Sequence, residues 1–301
     1  MKQGGLSVKF WGVRGSYAVS DRHSLRYGGH TSCVEVRAGS QRIIMDAGTG
    51  IINLGKELVE KQKAPLVLNL LLSHTHHDHL FGFYFFDPFF DARNRVFIFG
   101  PASKRRSLAG SLRIAMDPAL FPIRLEDLDA EKLIYSLKGS ERIVLSEDGQ
   151  IPSIKRSGRV KKDVDSSSTT IITYKSPAHP NGVMLYRVCY DNKSVVYATD
   201  IEEKPGGYSG VIEFARGADL LIHDAQYLES EYFSPASPRK GWGHSTVERA
   251  AEVARKAGVK QLALFHHEPT HDDPFIDGIE KQIRRFFPAT VAAAEGMVIR
   301  L

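Results

Sequence analysis

His74-Thr75-His76-His77-Asp78-His79 follows the apolar run Leu66 to Leu72. Four metal-ligating side chains, His74, His76, Asp78 and His79, thus fall within six residues behind an expected buried strand. Side chains on an extended segment alternate with period two, so the His74 and His76 imidazoles point the same way and can grip one cation. Asp78 and His79 fall where the chain is expected to turn into a helix. Adjacent residues there project in different directions and can reach a second ion. The spacing suits two metals better than one.

With its preceding strand, the hexapeptide resembles the signature of the metallo-beta-lactamase superfamily. That resemblance implies an α/β fold, an αββα sandwich of two mixed β-sheets flanked by helices, with divalent ions held between the sheets. It also calls for a downstream histidine, then an aspartate closing a strand, then a histidine closing a later strand. His179 lies in Ser176-Pro177-Ala178-His179-Pro180, Asp200 ends Ser194-Val195-Val196-Tyr197-Ala198-Thr199, and His266 follows Gln261-Leu262-Ala263-Leu264-Phe265. Singly, each has an ordinary reading as a loop histidine or a turn-forming aspartate. Together and in order they match the family. The resemblance implies that His74, His76 and His179 hold the first metal, that Asp78, His79 and His266 hold the second, and that Asp200 bridges both. His77 and His267 are placed outside the ligand set, with His267 the alternative to His266. Asp46, ending Arg42-Ile43-Ile44-Met45-Asp46, matches a family aspartate that orients the metal-binding loop from behind the ligands. A water shared by two such cations loses a proton near neutral pH and becomes the nucleophile, a bridging hydroxide, which makes Asp78 and Asp200 catalytic as well as ligating. Zn, Mn and Fe all suit imidazole and carboxylate ligands.

The whole chain sets wider bounds. At 301 residues with 42% apolar content it can bury a large core, and neither a linker nor an internal repeat is evident. Ile51 to Gln62 and Thr246 to Ala257 carry apolar residues at helical spacing between strand-like runs, which favours an α/β fold and one domain over residues 1–301. The first residues lack the apolar stretch of a secretion signal, and no run of about 18 apolar residues occurs, so a soluble, cytoplasmic protein with no membrane partner is expected. Cys33 and Cys189 sit in strand-like runs as buried free thiols. A net charge of +5 is compatible with an anionic substrate without requiring one. Lys155 to Lys162 places five basic residues in eight. That segment either grips phosphates or is a solvated loop or hairpin, and it lacks the interleaved aromatics of single-strand nucleic-acid platforms.

Three further segments point to a branch. Phe10-Trp11-Gly12-Val13-Arg14-Gly15-Ser16 and Arg26-Tyr27-Gly28-Gly29-His30-Thr31-Ser32 are glycine-containing loops in which Arg14, as a planar donor fork, and His30 are candidate substrate-binding residues. They resemble the opening of the tRNase Z and cyclic phosphodiesterase branch. Gly241-Trp242-Gly243-His244-Ser245-Thr246 enters a helix with the apolar stripe Val247, Ala250, Ala251 and Ala254, and Ser245 or Thr246 can cap it. The resemblance implies that His244 assists departure of the leaving alkoxide. Asp224 ends Asp219-Leu220-Leu221-Ile222-His223-Asp224 where that branch usually has glutamate, and it forms a candidate dyad with His244. The expected function is therefore a dinuclear, metal-dependent phosphodiesterase acting on a small cyclic phosphate or cyclic nucleotide. The alternatives are a thioester or lactone hydrolase, which needs no His244, and a tRNase Z-like endoribonuclease acting on RNA. Phe81 to Phe90 carries seven aromatics in ten residues. These are read as core and subunit packing, compatible with a homodimer, or as a stacking wall for a nucleobase built from Phe86, Phe89 or Phe90.

Overall fold

A computed structural model describes residues 5–103, 105–146, 151–156 and 168–301. Of the basic segment, only Lys155 and Arg156 belong to that set; the phosphate-gripping reading of residues 157–162 lies outside the described residues, as do 163–167.

Two mixed sheets stack face to face. The first runs in the order β15 (Val298–Arg300), β1 (Leu6–Gly12), β2 (Cys33–Ala38), β3 (Gln41–Met45), β4 (Val67–Leu71), β5 (Arg95–Pro101) and β6 (Glu131–Leu137), antiparallel as far as β3 and parallel from β3 to β6. The second runs β14 (Thr290–Ala292), β13 (Gln261–Phe265), β12 (Leu220–Asp224), β11 (Lys193–Ala198), β10 (Val183–Tyr190), β9 (Thr169–Ser176), β7 (Glu141–Leu145) and β8 (Ser153–Arg156). Its strands are parallel from β14 to β11 and antiparallel beyond.

Both faces of the central strands are buried, which explains the unbroken apolar runs in the sequence. Ile43 and Met45 of β3, Val195 and Tyr197 of β11, and Leu220 and Ile222 of β12 point into one core between the sheets. Their alternate neighbours point outward. Ile44 packs under α1 (Gly50–Glu60) and α2 (Leu108–Ala115), while Val196 and Leu221 pack under α3 (Ser209–Ala215), α5 (Val247–Ala257) and α6 (Asp273–Ile283). A one-turn helix, α4 (Glu229–Tyr232), precedes α5. The expected helix at 246–257 begins at its cap: the Thr246 hydroxyl accepts the Arg249 N–H, and Gly258 closes the helix with φ 62°. The layers are thus the αββα sandwich, built by the four-layer logic of apolar sheet faces each needing cover.

This arrangement positions chemistry at one end. The parallel strands finish side by side, and the residues just past β3, β4, β11 and β13 are Asp46, Ser73, Asp200 and His266. Asp46, Asp200 and His266 turn away from their strands with φ of 61°, 54° and 62°, a left-handed geometry uncommon outside glycine. No helix among the described residues is long and apolar enough to cross a membrane.

Candidate metal centre

Beyond β4 the chain stays extended through His76 and then tightens into a 3-10 turn at His77–His79. The structure brings His74, His76 and His179 together, with ligand atoms within 4.8 Å of one another, and it gathers Asp78, His79, Asp200 and His266 in a second group by the same measure. His76 Nδ1 and His179 Nε2 are 3.2 Å apart. Asp200 lies between the groups. Its Oδ1 is 3.6 Å from His74 Nε2, and its Oδ2 is 3.1 Å from His79 Nε2 and 3.4 Å from His266 Nε2. The candidate ligands come from both sheets, His74, His76, Asp78 and His79 from the first and His179, Asp200 and His266 from the second.

Four of the five imidazoles are aimed by a partner on the far nitrogen. His79 Nδ1 donates to Asp46 Oδ2 at 2.8 Å, His179 Nδ1 to the Gly243 carbonyl at 2.9 Å, and His266 Nδ1 to Gln226 Oε1 at 3.0 Å; His74 Nδ1 lies 3.0 Å from the Ser73 hydroxyl. Asp46 is fully buried and also accepts the Ser73 N–H, the Ser73 hydroxyl and the Tyr197 hydroxyl. Asp46→Asn places an amide group among those donors while tolerating the positive φ. It should weaken metal binding by about 10–100-fold, measured by competition with a chromogenic chelator. Unchanged affinity would sink the orienting role.

The residues fit cations. The Nε2 atoms of His74 and His79 are buried with no hydrogen-bond partner, a state that is costly unless something else occupies their lone pairs. Burial pushes His74, His76 and His179 below the usual histidine range, which keeps these imidazoles neutral and able to ligate. Although burial opposes it, His266, His79 and His74 around Asp200 hold its carboxyl well below the usual range, and His79 and His266 do the same for Asp78. Among the described residues the ion pairs of these two carboxylates, Asp200 buried and Asp78 partly so, are all with imidazoles, with no lysine or arginine to neutralise them.

At the rim, Asp224, His244 and His266 also converge. His244 Nδ1 donates to Asp224 Oδ2 at 2.8 Å, and Asp224 Oδ1 accepts the backbone N–H groups of Gln226 and Ser245, so this trio is built as a dyad with its carboxylate fixed. Burial depresses His244, but Asp224, by charge and hydrogen bond, and the more distant Asp200 and Asp78 outweigh it and bring it up to about 9. Its ring stacks on His266 with centroids 4.9 Å apart. Gly243 is required here. Its φ is 94°, and a Cβ would meet His179 Nδ1 at 2.1 Å, displacing the ring whose proton its own carbonyl accepts.

Several sequence expectations need correction. Arg14 does not offer an open fork: it is fully buried, and its guanidinium donates to the carbonyls of Gly28, Glu268 and His271, tying the first loop to the segment after β13. The His30 ring is taken up by Thr49 and Asn53 at the start of α1, at 3.2 and 3.0 Å, and its backbone N–H by Glu295, so it too serves the scaffold. Phe86 and Phe89 are core residues beneath α1 and cannot stack a base; Phe90 is exposed. His267 Nε2 donates to the Ala293 carbonyl, and His77 is exposed, both apart from the ligand groups.

Three contributors were missed. Gln226 links His266 to Glu268 and Ser16, Ser16 donates its N–H to Asp78 at 3.0 Å, and Glu202 accepts the N–H groups of Gly241 and Gly243, holding the His244 loop. None carries a motif signal, because each acts on a residue more than 30 positions away.

A family model described as the beta-lactamase superfamily domain matches residues 41–267. The ribonuclease Z of Archaeoglobus fulgidus is 26% identical, over 98% of this chain and 98% of that protein. Among solved structures, the metallo-beta-lactamase fold protein YhfI from Bacillus subtilis superposes with a TM-score of 0.65 at 18% identity, over 98% of this chain and 99% of that one. A diphosphatase from the PhnP family superposes with a TM-score of 0.64 at 15% identity, over 98% of each chain. At these identities the two structures speak for the fold alone.

Proposed function

The chain belongs to the beta-lactamase superfamily and is a hydrolase of that fold, and from this premise we propose that it is a dinuclear phosphodiesterase acting on a small cyclic phosphate or cyclic nucleotide. His74, His76 and His179 would hold one divalent ion, Zn or Mn with Fe also compatible, and Asp78, His79 and His266 the other, with Asp200 shared. Two such cations supply Lewis acidity toward phosphoryl oxygens and acidify coordinated water. The chain's own residues do the rest. Asp224 fixes the His244 tautomer through Nδ1 and favours the protonated ring, which leaves Nε2–H to be donated to the departing ester oxygen. The Glu202 carboxylate keeps the Gly241–Gly243 segment, and with it His244, against the ligand His179.

The observation that carries this reading is the His244–Asp224 dyad set beside the ligand groups. A thioester hydrolase, whose thiolate leaves without a proton, has little use for a donor at that place, whereas an alkoxide leaving from phosphorus does. A second reading, endonucleolytic cleavage of RNA, is supported by the likeness to ribonuclease Z and uses the same groups. The test is the initial rate of bis(p-nitrophenyl) phosphate hydrolysis by protein reconstituted with Zn or with Mn, followed by cyclic nucleotides and a precursor tRNA. Metal-dependent turnover of the small diesters is expected. Cleavage of the tRNA with cyclic nucleotides untouched would favour the second reading, and inertness toward every diester despite bound metal would overturn both.

A further inference from the structure

A cleft of about 580 Å³ opens beside the metal centre, with the ligand His179 in its wall. Its size falls within the roughly 300–1,000 Å³ typical of small-molecule sites. Flat faces line it: Pro180, the half-buried Tyr208 and Phe233, a residue that is 57% exposed. Phe233 is held in place rather than loose, edge-on to Tyr232 at 4.9 Å and below the Arg249 guanidinium at 5.4 Å. Lys204 and Lys240 add two cations. The Lys204 ammonium sits 4.8 Å above the Tyr208 ring, and Lys240 lies on the segment that leads into His244.

An exposed aromatic face beside two lysines, in a concavity sharing a wall with the centre, matches a ligand that is a flat heterocycle at one end and an anion at the other. We propose that this cleft receives a nucleoside carried on one ester arm of the phosphate, its base against Tyr208 and Phe233 and its phosphoryl group drawn toward His179 past Lys204 and Lys240. The assignment rests on the phosphodiesterase reading above and narrows it to nucleotide substrates. It also moves the stacking wall from the Phe81–Phe90 run, whose Phe86 and Phe89 are sealed in the core, to the opposite flank of the site.

The test is calorimetric titration of the Zn-loaded protein with AMP and, separately, with ribose 5-phosphate, which carries the same phosphate without the base. AMP should bind at least about tenfold more tightly, the scale of one stacked base, and Phe233→Ala or Tyr208→Ala should remove that preference. Phe233 is more than half exposed, so its truncation leaves the core intact. Equal binding of the two compounds, or a preference that survives both substitutions, overturns the proposal. The two assignments fail separately. Hydrolysis of bis(p-nitrophenyl) phosphate without an AMP preference removes the nucleoside cleft and leaves the reaction. An AMP preference in a protein inert toward every diester removes the reaction and leaves the cleft.

Discussion

Asp200→Ala is expected to lower bound metal from about two ions per chain to one or none, and to cut bis(p-nitrophenyl) phosphate turnover at least about a thousandfold, the scale of ~4 kcal/mol of transition-state stabilisation. The reason is placement. Asp200 alone presents one oxygen to each histidine group, with Oδ1 near His74 and Oδ2 near His79 and His266. Its removal leaves buried imidazoles from two sheets facing a gap with nothing to join them. Because Asp200 has φ 54°, alanine adds backbone strain, so Asp200→Asn, which tolerates that conformation, should accompany it. Metal content by elemental analysis and initial rates together decide the matter. Full metal content with undiminished turnover in either variant would remove the dinuclear assignment.

His244→Ala should behave differently. Metal content should stay at its wild-type level, while kcat on a cyclic nucleotide, whose leaving group is an alkoxide, falls by about 10²–10⁴-fold, the usual contribution of a positioned general acid. Hydrolysis of bis(p-nitrophenyl) phosphate should fall far less, since p-nitrophenolate leaves without a proton. The ratio of the two rates is therefore the readout. An equal loss on both substrates would mean that His244 acts through the shape of its loop and not as a donor. Asp224 remains held by the Gln226 and Ser245 N–H groups in this variant, so the surrounding strand ends keep their arrangement.

Much of the site could be read from the sequence because it depends on local order. The period of two that aligns His74 with His76, and the strand ends at Asp200 and Asp224, are properties of short segments. What escaped depends on distant partners. Arg14 has the composition of a phosphate fork, but two of its three acceptors lie on Glu268 and His271, some 250 residues away, and only the folded chain reveals that they are carbonyls. Tyr197 reads as an inward core residue of β11, which it is, yet its hydroxyl ends on Asp46 across the sandwich. The aromatic run held a signal that was passed over: Phe83, Phe86 and Phe89 recur every third residue and form the buried face, while Phe81, Phe85 and Phe90 stay exposed. In the fold, apolar runs such as Leu66 to Leu72 marked buried strands, but nothing local fixed which parallel strands become neighbours.

The left-handed backbone at Asp46, Asp200 and His266 has an evolutionary reading. Non-glycine residues in such conformations forgo about 1–3 kcal/mol each, and glycine would sit there without strain. At Asp200 and His266, selection for thermal stability alone would thus push toward glycine and toward an inert protein, whereas the four buried hydrogen bonds that Asp46 accepts hold that residue on structural grounds too. A library sorted only by heat resistance should therefore lose its chemistry first at the ends of β11 and β13.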